Sequence, residues 1–349
     1  MKSPSIAFFD AKDYEIDFFE KDAQQTGIKF KYFNNRLNPD TAFMAKGFDG
    51  ICAFVNDDLS ATVINSLADY GISLIALRCA GYNNVDLDSA YNRIHVVHVP
   101  SYSPYAVAEH ALALIMTLNR KTHKAYYRTR DSNFNISGLL GFDLKDKSIG
   151  IIGTGTIGKT FIEILNGFGM EILAYDVYPD KEFSTKHNVK YVELDELFQR
   201  SDIISLHCPL TPDNTYMINS ESMSLMKDGV MIINTGRGKL INTKDLIEGL
   251  KSGRVGYAGL DVYEEETEYF FEDFSSSVIE DDVLARLLTF PNVLITSHQG
   301  FFTKEALSNI SSITCNNIIS FFKGQTLPNE ICYRCQSQVC NRKETGRCF

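Results

Sequence analysis

"GIIGTGTIG", Gly150 to Gly158, is the stretch whose reading decides the fold. The run KSIGIIG, 147–153, reads as a buried strand, and the residues after it open a helix. Gly153, Gly155 and Gly158 therefore form G-x-G-x-x-G at a strand-to-helix turn. The first glycine permits the tight turn, the second lets the backbone approach a pyrophosphate, and the third lets helix and strand pack closely. The free N–H groups at the helix start then receive the phosphates. Glycines alone are weak evidence, because tight turns use them for steric reasons. Here Asp176 closes the next strand, MEILAYD, where a carboxylate can accept hydrogen bonds from ribose hydroxyls and repel a 2′-phosphate. The reading is a dinucleotide site that prefers NAD; the plainer alternative for Asp176 is a turn or capping residue.

Working outward, the same rhythm recurs. SIAFF (5–9), IKFKYF (28–33), GICAF (50–54), SLIALR (73–78) and HVVHV (95–99) are strand-like, with helical segments between them such as Ser60–Tyr70, which Ser60 can cap. A long helix is expected over Pro104–Arg130. After it come six strands: 147–153, 170–176, 202–208, 229–235, 256–262 and 292–297. Alternating strands and helices imply parallel sheets covered by helices, and the second series suits a doubly wound nucleotide-binding domain. The acid- and Phe-rich segment Glu264–Asp282 reads as a long surface excursion, and Thr303–Phe322 as a final amphipathic helix.

A length of 349 residues exceeds a comfortable single core, so two domains are expected. The net charge of −10 argues against binding nucleic acid through a basic face, and leaves an anionic substrate dependent on local cations. No run of eighteen apolar residues or apolar leader is present, so a cytoplasmic protein without a membrane span is expected. Cys52, Cys79, Cys208 and Cys315 read as reduced core thiols. Cys332, Cys335, Cys340 and Cys348 crowd the tail; their spacings fit no common zinc module, and the tail reads as a short, basic, mostly exposed extension without metal.

Three further motifs end strands of the second series. "NTGRG", Asn234–Gly238, sets an arginine between glycines, where its planar fork can meet a carboxylate. "GLDVYEEE", Gly259–Glu266, brings a cluster of acids, among which the residues by themselves do not choose. "SHQG", Ser297–Gly300, brings a histidine. A lone histidine at a strand end is more often a hydrogen-bonded structural residue, but an Arg, acids and a His at equivalent ends of three successive strands are hard to reach by accident.

On "RCAGYNNVD", "VPSYSPYAVAEHALALIMTLNRK", "GTGTIG", "HCPLTPDNTYMIN", "NTGRGKLI", "LDVYEEE" and "SHQGFFTKEAL", the chain resembles the D-isomer-specific 2-hydroxyacid dehydrogenases, most closely their fermentative D-lactate branch, from about Ile6 to Glu330. The resemblance implies reversible hydride transfer between NADH and pyruvate. It implies His298 as acid/base, Glu266 tuning it, and Arg237 on the substrate carboxylate. Ala80, Gly81 and Tyr102 would line the substrate pocket, while Thr156, Ile157, Asp176, Cys208, Pro209, Asn214, Thr235, Gly236 and Asp261 would join the three loop glycines around NAD. Glu264 and Glu265 would be solvated acids. It also implies two Rossmann-like α/β domains: a flavodoxin-like substrate domain, 1–101 plus 299–349, and an NAD-binding domain, 102–298. A homodimer or higher homo-oligomer would use the 104–130 helix. A dehydrogenase for a bulkier 2-oxo acid and an NAD-sensing binding protein are the rival readings. Gly300 stands where relatives are expected to carry alanine, which would loosen the turn beside His298.

Overall fold

Short β-branched and apolar runs separated by amphipathic helices fold into two parallel sheets. The computed structural model describes residues 3–265, 269–331 and 345–349. The first series is β1 (Ser5–Phe8), α1 (Asp13–Thr26), β2 (Lys29–Tyr32), β3 (Gly50–Ala53), α2 (Ala61–Asp69), β4 (Leu74–Leu77), α3 (Leu87–Ala90) and β5 (His95–Val97). Then follow α4 (Pro104–Arg120), α5 (Thr122–Arg130), β6 (Ser148–Ile152), α6 (Thr156–Leu165), β7 (Glu171–Tyr175), α7 (Lys181–His187), β8 (Val189–Tyr191) and α8 (Leu194–Arg200). The chain continues through β9 (Ile203–Leu206), α9 (Ser220–Leu225), β10 (Val230–Asn234), α10 (Thr243–Ser252), β11 (Val255–Leu260), α11 (Asp282–Leu288), β12 (Val293–Ile295) and α12 (Lys304–Phe322). Among the described residues, no helix is long and apolar enough to cross a membrane.

The chain divides into two compact units, Met1–Ser103 with Thr303–Phe349, and Pro104–Phe302. The boundaries expected at 101/102 and 298/299 lie slightly earlier, for local reasons. Pro104 opens α4 and travels with that helix. Residues 299 and 300 are tied to the second unit, because both amides donate to the Asp261 carboxylate, each at 2.8 Å.

In the first unit the sheet order is β2-β1-β3-β4-β5, all parallel, which is the flavodoxin-like order. β3 and β4 are buried along their whole length because helices cover both faces. Ser60 does occupy the position before α2, but its hydroxyl makes no capping bond. Thr303, in contrast, caps α12 through the Ala306 amide.

The second sheet runs β12-β11-β10-β9-β6-β7-β8, again parallel. Strand order reverses between β6 and β9, and ligands of such sheets bind outside the carboxyl ends of the strands at that point. Side chains alternate across it. Met231 and Ile233 of β10 join a core with α4 and α6, whereas Val230 and Ile232 join one with α8 to α11. Each such aliphatic side chain removed from water contributes about 1.5–3 kcal/mol. The seventh strand, β8, lies beyond the sequence reading: its run VKY has one buried residue at an exposed sheet edge, with no apolar stretch to mark it.

The long helix expected over 104–130 is two helices. Lys121 between them adopts a left-handed conformation, φ 50°. The buried Asn119 carboxamide takes both backbone groups of Phe142, donating to its carbonyl (2.7 Å) and accepting from its amide (2.8 Å). Lys121 Nζ donates to the Leu140 carbonyl (2.6 Å). The chain is thus stapled back across the end of α4, and no Gly or Pro marks the break. The 264–282 segment is not simply a surface excursion. Phe270 is buried in the core, Tyr263 donates to Asp281 (2.7 Å), and Asp281 caps α11. The last five residues are also packed rather than mostly exposed: Arg347 donates to the Phe321 carbonyl at the end of α12 (2.8 Å), and Phe349 stacks on His95 at 4.1 Å. Cys332, Cys335 and Cys340 lie outside the described residues.

Candidate functional site

The glycine loop has the stereochemistry its sequence requires. Gly153 has φ 96°, and a Cβ there would stand 2.6 Å from the Cys208 amide nitrogen. At Gly158 a Cβ would fall 2.0 Å from the Gly153 carbonyl oxygen, so helix and strand meet with no room for a methyl group. Gly155 is different: nothing of the protein lies within 4 Å of its Cβ position. Gly155 and Thr156 are exposed and Ile157 half-buried at the start of α6, the open cradle a pyrophosphate needs.

Asp176, just beyond β7, is held rigidly. Its Oδ1 accepts the Tyr178 amide (2.9 Å), and its Oδ2 accepts both the amide (2.6 Å) and the hydroxyl (3.1 Å) of Thr154. Burial opposes its charge, yet these donors prevail and hold the carboxyl below its ordinary value. Tyr191 of β8 donates to the Thr154 hydroxyl (2.8 Å). Neither hydroxyl was singled out from sequence, and a polar residue in a turn or on a short strand offers no signal by itself. The nearby Lys159 pairs with Asp180 at 2.5 Å.

At the end of β9, burial holds the His207 imidazole down to about 4 and pushes the Cys208 thiol up to about 11, so both stay neutral near pH 7. His207 bonds the Ser205 hydroxyl at 2.9 Å. Pro209 is exposed, and its carbonyl accepts Asn214 Nδ2 (2.7 Å) while Asn214 Oδ1 accepts the Thr211 amide (2.7 Å). The Asn214 side chain therefore closes its own loop. At the end of β10, Thr235 is buried and its hydroxyl has no partner among the described residues, an orphan that a cofactor group would satisfy. Asn234 organises the next turn, accepting the Gly236 amide (3.0 Å) and donating to the Arg237 carbonyl (2.9 Å). One Arg237 N–H is used on the Gly236 carbonyl (2.8 Å), so among the described residues most of the fork remains for another acceptor. A Cβ at Gly238 would meet the Tyr263 backbone at 2.1 Å, so this loop seats directly on the chain leaving β11.

That chain carries Asp261, whose buried carboxylate braces the turn of His298. It accepts the Thr296 hydroxyl (2.6 Å) and the amides of Gln299 and Gly300, and His110 Nε2 stands 3.2 Å away. Asp261 is thus occupied by the protein. His298 itself has φ 50°, unusual for a residue with a side chain, and its amide donates to the Asp261 carbonyl (2.8 Å). Strained backbone of this kind concentrates at functional sites. Gly300 does not loosen the turn, because its amide approaches Asp261 where a Cβ would come within 2.9 Å of Oδ2.

Of the acids, Glu264 is not solvated. Its carboxylate accepts the Tyr216 hydroxyl and the Thr243 amide, both at 2.7 Å. Glu265 is exposed, and Glu266 lies outside the described residues. In the first unit, the carbonyls of Ala80 and Gly81 are engaged by His98 Nδ1 (2.9 Å) and the Cys79 thiol (3.3 Å). The Tyr102 carbonyl accepts Asn309 Nδ2 (2.6 Å).

Comparison with known proteins agrees with the fold. A family model described as D-isomer specific 2-hydroxyacid dehydrogenase, NAD binding domain, matches residues 112–300. The chain is 48% identical to D-lactate dehydrogenase of Escherichia coli (strain K12), over 93% of this chain and 99% of that protein. Its structure is similar to the apo-structure of D-lactate dehydrogenase from Escherichia coli, with a TM-score of 0.86 at 46% identity over 94% and 99% of the two chains. It is also similar to the structure reported for the pyruvate reductase of Chlamydomonas reinhardtii, with a TM-score of 0.89 at 42% identity over 94% and 98%.

Proposed function

The chain belongs to the D-isomer specific 2-hydroxyacid dehydrogenases and is an NAD-dependent oxidoreductase, and on that premise we propose that it interconverts pyruvate and D-lactate. The observation that carries this reading is His298, held at φ 50° by Asp261 in the same sheet that presents Arg237 two strands away. Bound NADH supplies the hydride for the carbonyl carbon. His298 gives the proton to the forming alkoxide from its imidazole and takes it back in the reverse direction. Arg237 offers a planar pair of donors to the substrate carboxylate, and its charge favours the oxyanion as it develops. The family resemblance gives Glu266 the role of favouring the protonated imidazole, since Glu264 is already committed to Tyr216 and Thr243. The family resemblance assigns Ala80 and Gly81, through their amides, and Tyr102 to substrate binding. Thr156, Ile157, Cys208, Pro209, Asn214, Thr235, Gly236 and Asp261 face or frame the cofactor with the loop glycines, and Asp176 takes the adenosine ribose.

The test is NADH oxidation with pyruvate, with chiral analysis of the product, beside a panel of branched and aromatic 2-oxo acids. D-lactate as product and pyruvate as the best substrate are expected. Faster turnover on a bulky acid would move the substrate assignment, L-lactate would reverse the facial assignment, and absence of turnover would favour a binding role.

The same reading includes a homodimer. Beyond α5 the chain exposes Phe134, Ile136 and Leu140 at 77%, 81% and 87%, beside Tyr126 and Tyr127 on the helix. So many large apolar side chains on one segment mark a surface that another protein covers, and a second copy of this chain is the proposed occupant. Ile136→Asp with Leu140→Asp should halve the mass seen in sedimentation equilibrium; an unchanged mass would exclude this surface. The buried thiols Cys52, Cys79 and Cys315 accord with a reducing, cytoplasmic setting.

A further inference from the structure

Sequence places one carboxylate, Asp176, where the adenosine ribose of NAD is read, but a carboxylate discriminates only if its charge and orientation are fixed. An ionised carboxylate has about four acceptor positions. In this protein three are filled from within: the Thr154 amide and hydroxyl on Oδ2, and the Tyr178 amide on Oδ1. The orientation this enforces leaves acceptor capacity on Oδ1. The Thr154 hydroxyl has a single proton, and it is directed to Asp176 because Tyr191 donates to the same oxygen. Tyr191 thus sets the polarity of the chain Tyr191 Oη–H to Thr154 Oγ1–H to Asp176. Lys159, the cation beside this cluster, is engaged by Asp180 and lies over the Phe183 ring. A 2′-phosphate would therefore meet the Asp176 charge with its nearest countercharge already paired.

We propose that Thr154 and Tyr191 are positioning residues that set the preference of this enzyme for NAD(H) over NADP(H), by holding the Asp176 carboxylate in the one orientation that serves a ribose diol. The proposal rests on the reading of Asp176 as the ribose acceptor. Tyr191 stands on β8, the edge strand that periodicity does not reveal, and Thr154 is the unconstrained position of the glycine motif, so neither role is visible in the sequence.

The experiment is equilibrium titration of the intact protein with NADH and with NADPH, followed by nicotinamide fluorescence; the chain contains no tryptophan to obscure it. The quantity read is the ratio of the two Kd values. Thr154→Val removes the hydroxyl while keeping the shape, and the ratio should fall by roughly threefold to tenfold, the scale of a hydrogen bond to a charged group. Tyr191→Phe acts one bond further away and should lower it by about twofold. In both variants the NADH affinity should carry the change, with NADPH affinity held or improved. Equal weakening of both cofactors would mean that the hydroxyls only support the fold, and an unchanged ratio in both variants would also overturn the proposal. Tyr191→Phe, which deletes a single oxygen from a half-buried ring, decides the matter if Thr154→Val does not fold. Asp176→Ser separates the two readings. If its ratio matches the wild type, the ribose assignment itself fails; if its ratio collapses while the hydroxyl variants keep theirs, only the positioning role fails.

Discussion

Replacing His298 with asparagine should lower turnover on pyruvate by about 10²–10⁴-fold, the usual contribution of a positioned general acid. NADH affinity should stay within a few-fold. Asparagine is the informative substitution because the backbone at 298 is left-handed, φ 50°, a region that asparagine tolerates better than alanine or glutamine. The turn should survive, since its bonds are made by the Asp261 carboxylate to the amides of Gln299 and Gly300 and by the amide, not the imidazole, of His298. Steady-state kinetics and NADH titration of the same preparation give both numbers. Turnover within threefold of the wild type would remove His298 from the chemistry. Loss of NADH binding together with turnover would mean that the side chain braces the turn, and the assignment would fall on that ground.

The second large effect is on stability and lies in the first unit. Arg78 is 1% exposed. It donates to Glu15 through Nε (2.9 Å) and Nη2 (3.0 Å) and to the Asp10 carbonyl through Nη2 (2.8 Å), between the rings of Phe8 and Phe54. Asp57 is also buried beside it, with its carboxylate on the amides of Leu37 and Phe54, each at 2.6 Å. Arg78→Met should cost about 3–5 kcal/mol, because it leaves buried carboxylates without their counterion. That is a large fraction of a domain's stability and should unfold this unit at a much lower denaturant concentration. Changing Glu15 to Met as well should recover part of the loss, because a wholly apolar pair leaves fewer stranded charges. Amide hydrogen exchange resolved by segment, with denaturant melts, checks both statements; protection of β1, β3 and β4 unchanged in Arg78→Met would contradict them.

This loss has a pH signature whose sign follows from Asp57. Burial raises its carboxyl to about 6, against the opposing pull of Arg78 and of the two amides. A carboxyl raised in the folded state favours folding below its unfolded value, and that advantage fades as pH rises through the folded value. Without Arg78 the folded value climbs further. The stability gap between Arg78→Met and the wild type should therefore narrow from pH 8 to pH 5.

Much of this protein was readable along the chain. Strand positions, two sheets, the glycine turn and the strand-end arginine and histidine all follow from local rules: a period of two or 3.6, a left-handed turn, a missing Cβ. Such signals span a few residues, and whatever spans a few residues survives in one dimension. The break at Lys121 escaped because it depends on Asn119 meeting Phe142, and β8 escaped because its short edge run has a single buried residue and no apolar stretch. The aromatic packing of the 264–282 segment escaped because its composition resembles that of a solvated loop.

By itself the sequence determined that a glycine turn would follow β6 and that Arg237 and His298 would end strands of one sheet. Only the tertiary structure decided which polar groups are already spent. Glu264 is consumed by Tyr216 and Thr243, Asp261 by the turn that carries His298, and Asp176 is fixed by Thr154 and Tyr191. A hydrogen-bonding group in a buried site must find a partner, and its partners here come from tens of residues away in the chain. Which donors and acceptors remain for a ligand is therefore settled by folding.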